Sequence, residues 1–191
     1  MTPTMFSQRD PQWAADQLGT GTLTIGRAGC LLTCVASVLA DCGVGTDPGR
    51  LNAWLTTNRG YLNDDLFIFA AIEPLGVKLT RWDCYDRPAP VAKLRENLLA
   101  GRHAVCMVDF SPGGTVQPHW VRVLEAHDWR IMDPWRLPGN EARDLGDYYA
   151  VGWDAARAIL AVATYEPNVA LRSVRHAGFA GPAQDFVCIA P

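Results

Sequence analysis

The chain has 191 residues, is 49% hydrophobic and 19% charged, and carries a formal net charge of −3. That is enough chain for one compact domain with a substantial core, and the slightly acidic balance leaves no basic face for nucleic acid or an anionic membrane. No stretch reaches the roughly 18 uninterrupted apolar residues that a membrane helix needs. The start, MTPTMFSQRDPQW, lacks a basic region followed by an apolar one, so a chain retained in the cytoplasm is expected, or one carried in a virion or released by lysis.

In chain order, residues 1–26 are polar and turn-rich and read as a loop or lid. RAGCLLTCVASVLADCG follows, and predicts a helix beginning at or just after Cys30 and stopping at Gly43. Its apolar residues cover nearly the whole circumference, so the helix is expected to be buried on all sides. A second helix starts at Asp47-Pro48, where the carboxylate caps the free N–H groups and proline suits the first turn. DDLFIFAAIEPLG predicts a third helix broken near Pro74, and PAPVAKLRENLLAG a fourth ending before Gly101.

After that the hydrophobic period changes. HAVCMVDF (103–110), HWVRVLEA and WRIMDPW read as strands, and GWDAARAILAVATYEP as a short helix leading into a last strand. Helices first and an antiparallel sheet second predict an α+β fold. The domain is expected to span 1–166. Residues 167–191 read as an irregular extension packed on it, with DFVCIA as an edge strand.

Six cysteines in a chain this long do not make a disulfide scaffold, and Cys30, Cys34 and Cys42 lack the paired spacing of a zinc ribbon, so no metal and no cofactor are expected. Of these three only Cys30 sits where a helix N-terminus stabilises a thiolate, although a small buried cysteine also serves simply as core filler. A nucleophilic cysteine needs a histidine base, and that base an orienting group. His119 and Asp133 are an even number of residues apart on two expected strands. A hairpin turning around Ala126 through a loop of three to five residues would set them directly opposite on one face, with Cβ atoms about 5 Å apart. His103 has no acidic residue at a comparable pairing distance, His127 would lie in the turn, and His176 lies in the irregular tail. The helix-start N–H of Cys30 and the side chain of Gln8, with Gln12 and Gln17 as alternatives, are candidate donors to an oxyanion. Trp13, Trp120 and Trp135 lie near these residues in sequence, either lining a substrate cleft or packing in the core.

FSQRDPQWAADQLG…TIGRAGCLLTCVASVL and PHWVRVLEAHDWRIMDPW together resemble the papain-like cysteine peptidases that process double-glycine bacteriocin leaders, and specifically their stand-alone phage and bacterial relatives. The likeness runs over roughly residues 5–165 and rests on four short motifs. It implies a papain-like fold with Cys30 as nucleophile, His119 as base, Asp133 as its orienter and Gln8 as oxyanion donor. The implied substrate is a peptide or protein. Leu31 stands where the family usually has glycine, and Pro118 where small residues are usual. Two other functions stay open: a catalytically silent domain serving as a phage or envelope structural or binding module, and an amidase or endopeptidase cutting peptidoglycan peptides.

Overall fold

A computed structural model describes residues 2–84, 88–111, 114–125, 127–149 and 154–168. From residue 169 on, the expected C-terminal extension with its edge strand and His176 lies outside the described residues, as does Ala126. Residues 2–24 form no helix or strand, only irregular chain, turns, bends and one isolated bridge between Gln17 and Thr24, as the polar composition predicts.

Two helices then meet end to end: α1 (Ile25–Ala28) and α2 (Cys30–Asp41), with Gly29 between them. Glycine is required at that junction because a Cβ would lie 2.6 Å from Ile25 O and 2.7 Å from Ile25 Cγ2. Eight consecutive residues of α2, Leu32 through Leu39, are buried, as its all-round apolar pattern predicts. The α2 C-terminus carries Asp41, the wrong sign for the helix dipole. Arg122 corrects this from the sheet: it is 3% exposed, with Nη2 2.5 Å from Asp41 Oδ2 and Nη1 donating to Ser37 Oγ at 2.5 Å. The N-terminal segment is tied to the same point, since Thr4 N–H donates to Asp41 Oδ1 at 2.8 Å.

Next come α3 (Pro48–Thr57), capped by Asp47 accepting from Arg50 N–H, and the small antiparallel pair β1 (Tyr61–Leu62) and β2 (Leu66–Phe67). The expected third helix is replaced by β2 and a 3-10 helix over Phe69–Leu75, with Pro74 inside it. Proline removes an N–H and crowds the preceding turn, which favours this short tight form. A strand absent from the sequence reading follows, β3 (Val77–Cys84), so the first half is less helical than expected. Then come α4 (Val91–Leu99), β4 (His103–Asp109), β5 (Pro118–Val123), β6 (Arg130–Met132), β7 (Ala142–Asp144), α5 (Leu145–Tyr148), α6 (Ala155–Ala158) and β8 (Ala161–Pro167).

The main sheet has six strands in the order β3-β8-β4-β5-β6-β7, and every pairing is antiparallel. The fold is α+β. The final strand does not end the sheet; it inserts between β3 and β4. Alternation along β4 separates two cores: Val105 and Met107 join the α2 cluster, whereas Ala104, Cys106 and Val108 join a second cluster with Leu94 of α4 and Leu145 of α5. Burial on both faces explains why HAVCMVDF reads as a continuous apolar run rather than an alternating one. No helix among the described residues is long and apolar enough to cross a membrane.

Candidate active site

Cys30 opens α2 and is partly exposed, whereas Cys34, one turn further in, is fully buried with its thiol donating to Trp120 O at 3.4 Å. The first N–H groups of a helix have no partner within it, and here that of Leu31 donates to the Cys30 sulfur. Burial pushes the Cys30 thiol up. A hydrogen bond with His119, the charge of that ring and the Trp120 and Leu31 backbone N–H groups outweigh it, so the thiol lies below its ordinary value. Cys34 moves the opposite way, pushed well up by burial and by its negative neighbours Cys30 and Asp133; burial also raises Cys106.

His119 is the second residue of β5 and is 4% exposed. Its Nε2 lies 2.9 Å from Asp133 Oδ1. With Nε2 committed to the carboxylate, Nδ1 is the ring nitrogen left for Cys30. Burial disfavours the imidazolium, but the bonds to Asp133 and Cys30 and their charges override it and raise His119 to about 9. A thiol shifted down and an imidazole shifted up, in contact, favour a thiolate–imidazolium pair at neutral pH.

Asp133 follows β6 and is 1% exposed. Burial alone would raise its carboxyl, yet His119, the Tyr149 hydroxyl and the Trp135 N–H hold it below the usual range. Trp135 N–H donates to Oδ1 at 3.0 Å and Tyr149 OH to Oδ2 at 2.8 Å. Arg136 and Arg143 stand behind, with Nε 3.7 Å and 3.9 Å from Oδ2. Tyr149 was not singled out from sequence. No spacing rule marks it, because it follows the short α5 and reaches the site only through the tertiary fold. Its ring packs on His119 with centroids 5.6 Å apart, and burial together with the Asp133 charge keeps its hydroxyl protonated.

The expected direct opposition of His119 and Asp133 is corrected. β5 and β6 pair Arg122 with Met132 and Val123 with Ile131, so the hairpin centres on His127 and its connection runs over six residues, 124–129. Asp133 is therefore in line with Val121 and reaches His119 diagonally. The even spacing keeps both on one face despite the two-residue shift, because the side-chain period along a strand is two.

Gln8 is 1% exposed. Its backbone N–H donates to Pro134 O at 2.8 Å, which ties it to the residue after Asp133. Its Nε2 donates to Gly26 O at 3.0 Å and lies 3.5 Å from Ile25 O, in the turn leading to Cys30, while Oε1 is buried without a partner. Gln8 thus bridges the segments that carry Cys30 and Asp133. Gln17 instead donates to Gly21 O, and Gln12 to Asp10.

The tryptophans divide. Trp13 and Trp120 are 6% and 9% exposed and belong to the α2 core, Trp13 with its indole N–H on Ser7 O at 2.8 Å and Trp120 stacked on Trp82. Trp135 is half-buried in the turn after Asp133. His127 is exposed in the hairpin connection. His103 serves the α2 end: its Nδ1 accepts from Arg122 Nη2 at 3.1 Å, and burial and that guanidinium push it down to about 4. Among the described residues no group of three or more His, Cys, Asp or Glu side chains is placed to hold a metal ion.

No protein-family model matches the chain, and no curated protein matches it. A solved structure described as a "putative C39-like peptidase" from Bacillus anthracis is similar over 87% of this chain and 96% of that one, at 11% identity and a TM-score of 0.49.

Proposed function

We propose that the chain is a papain-like cysteine peptidase in which Cys30, His119 and Asp133 hydrolyse a peptide or amide bond. The observation that carries this reading is the coupled pair at the start of α2: a thiol lowered chiefly by its bond to an imidazole that Asp133 holds at 2.9 Å.

The Cys30 thiolate adds to the carbonyl carbon, forming a C–S bond and an oxyanion. Collapse breaks the C–N bond, and the His119 imidazolium gives its proton to the departing nitrogen. Water then adds to the thioester while His119 takes its proton, and the C–S bond breaks to release acid and thiolate. Asp133 keeps His119 in the required tautomer and stabilises its charge. The Cys30 N–H, in the first turn of α2, faces the oxyanion.

Gln8 acts beside it. Its Nε2 donates to Gly26 O at 3.0 Å and only weakly to Ile25 O at 3.5 Å, so the N–H aimed at Ile25 O is the one to be given up to an oxyanion. The Gly26 carbonyl is also the one a continuous helix would give to the Cys30 N–H, four residues on. Here that carbonyl accepts from Gln8, and the helix breaks at Gly29 between the two. The likeness of the sequence motifs to leader-processing enzymes favours a peptide substrate of that kind.

The test is iodoacetamide alkylation of each cysteine at about pH 6, read by peptide mapping, in the parent and in His119→Ala. Fast reaction at Cys30 alone, lost in the variant, is expected. Equal and slow reaction at Cys30 and Cys34 would refute the proposal and leave a structural or binding role for the fold.

A further inference from the structure

Beside His119 lies a surface that the chemistry above does not use. Phe110 is 37% exposed, and its ring stands edge-on to the imidazole with centroids 5.2 Å apart. Trp135 stands edge-on to Phe110 at 5.5 Å, and the Arg9 guanidinium lies over the Trp135 ring at 5.2 Å. Three turns build this wall, and each is closed by a side-chain oxygen. Asp109 Oδ1 accepts from Ser111 N–H at 3.1 Å and Gln117 N–H at 3.0 Å, fixing the turn that carries Phe110. Asp133 does the same for Trp135. Ser7 Oγ accepts from Arg9 N–H at 3.0 Å and donates to the Arg136 carbonyl, joining the Arg9 and Trp135 turns.

Charge is sorted across this wall. Asp109 and Asp133 are 8% and 1% exposed and are spent on N–H groups and His119. Asp10 is turned to Gln12, and Glu141 to the Gly139 N–H at 3.0 Å. Arg9 is exposed, and no carboxylate among the described residues pairs with it. Arg136 lies further along, one-third exposed over the Tyr148 ring at 5.1 Å. In a chain of net charge −3 this edge therefore presents apolar rings beside the unpaired Arg9 guanidinium, while Arg136 stays 3.7 Å from Asp133 Oδ2.

Position gives the wall a direction. His119 delivers its proton to the leaving nitrogen, so the segment departing with that nitrogen must pass the imidazole and meet the exposed ring touching it. We infer that Phe110, Trp135 and Arg9 form the subsite for the residues following the scissile bond, and that it takes a bulky apolar residue and then an acidic one. The apolar side chain sits against Phe110 and Trp135, and the carboxylate pairs with Arg9, whose planar donors suit it. This inference takes its direction along the substrate from the peptidase reading.

Calorimetric titration of three peptides tests it: acetyl-Phe-Glu-Ala-amide, acetyl-Gly-Glu-Ala-amide and acetyl-Phe-Lys-Ala-amide. The first is expected to bind about tenfold tighter than either of the others, an advantage reduced several-fold in Phe110→Ala and, for the Glu-over-Lys preference, in Arg9→Ala. Equal binding of all three, or no binding, overturns the inference. Cys30 alkylation in the same preparations separates the two claims. Discrimination with an unactivated Cys30 leaves a peptide-binding surface without proteolysis, and an activated Cys30 without discrimination leaves proteolysis without this subsite.

Discussion

Replacing Tyr149 by phenylalanine removes one oxygen and keeps the ring on His119. In the parent the Tyr149 hydroxyl donates to Asp133 Oδ2 at 2.8 Å, and both residues are at most 5% exposed. A hydrogen bond to a charged group contributes about 1.5–3 kcal/mol, and its loss here leaves a buried carboxylate oxygen with only the more distant guanidinium groups. Tyr149→Phe is therefore expected to destabilise the fold by about 2 kcal/mol at pH 7.

The pH dependence distinguishes this account from a packing effect. Asp133 is held below 3.8 in the folded state, so its stabilisation is present above that pH and is lost as pH falls through the folded value. The variant raises the folded value, so its deficit against the parent must shrink under acid. Once pH has fallen below the folded value of Asp133 it should approach the roughly 0.5–1.5 kcal/mol of a neutral hydrogen bond. Urea unfolding of parent and variant across that range measures it. A deficit that is constant with pH, or below about 0.5 kcal/mol at pH 7, would refute the reasoning.

Arg122→Met leaves the Asp41 carboxylate without its cation at the C-terminal end of α2, and about 3 kcal/mol of stability should be lost in urea unfolding, with Cys30 alkylation little changed. Gly29→Ala drives a Cβ into Ile25 and should both destabilise the chain by about 2 kcal/mol or more and slow Cys30 alkylation, whereas Gly45→Ala, with nothing within 4 Å, should stay within about 0.5 kcal/mol of the parent. If the two glycine variants behave alike, the α1–α2 junction is not the constraint described.

Much of the candidate site was readable from the order of residues. Cys30 heads a helix because a strongly apolar run, broken only by Thr33 and Ser37, begins just after it, and His119 and Asp133 share a face because parity along strands survives an error in register. The register itself was not readable. The connection has no tight-turn signal, so nothing local fixed its length, and the positive φ of 57° at Trp129 is not one that sequence announces for a tryptophan. β3 was missed because Lys78, Arg81 and Asp83 break its apolar pattern, as befits a strand at the edge of the sheet. Phe110, Tyr149 and the arginines belong to the site only through tertiary contacts between turns, and no period in the sequence encodes those.

The central claim is that Cys30 and His119 hold one shared charge pair. Ultraviolet absorbance of the thiolate, titrated with pH in the parent and corrected by Cys30→Ser, reads it directly. The account predicts a thiolate that forms below 9.0, while His119 stays protonated to about 9, and that returns to ordinary thiol titration in His119→Ala. A thiolate that forms only near 9.0, with or without His119, would contradict it.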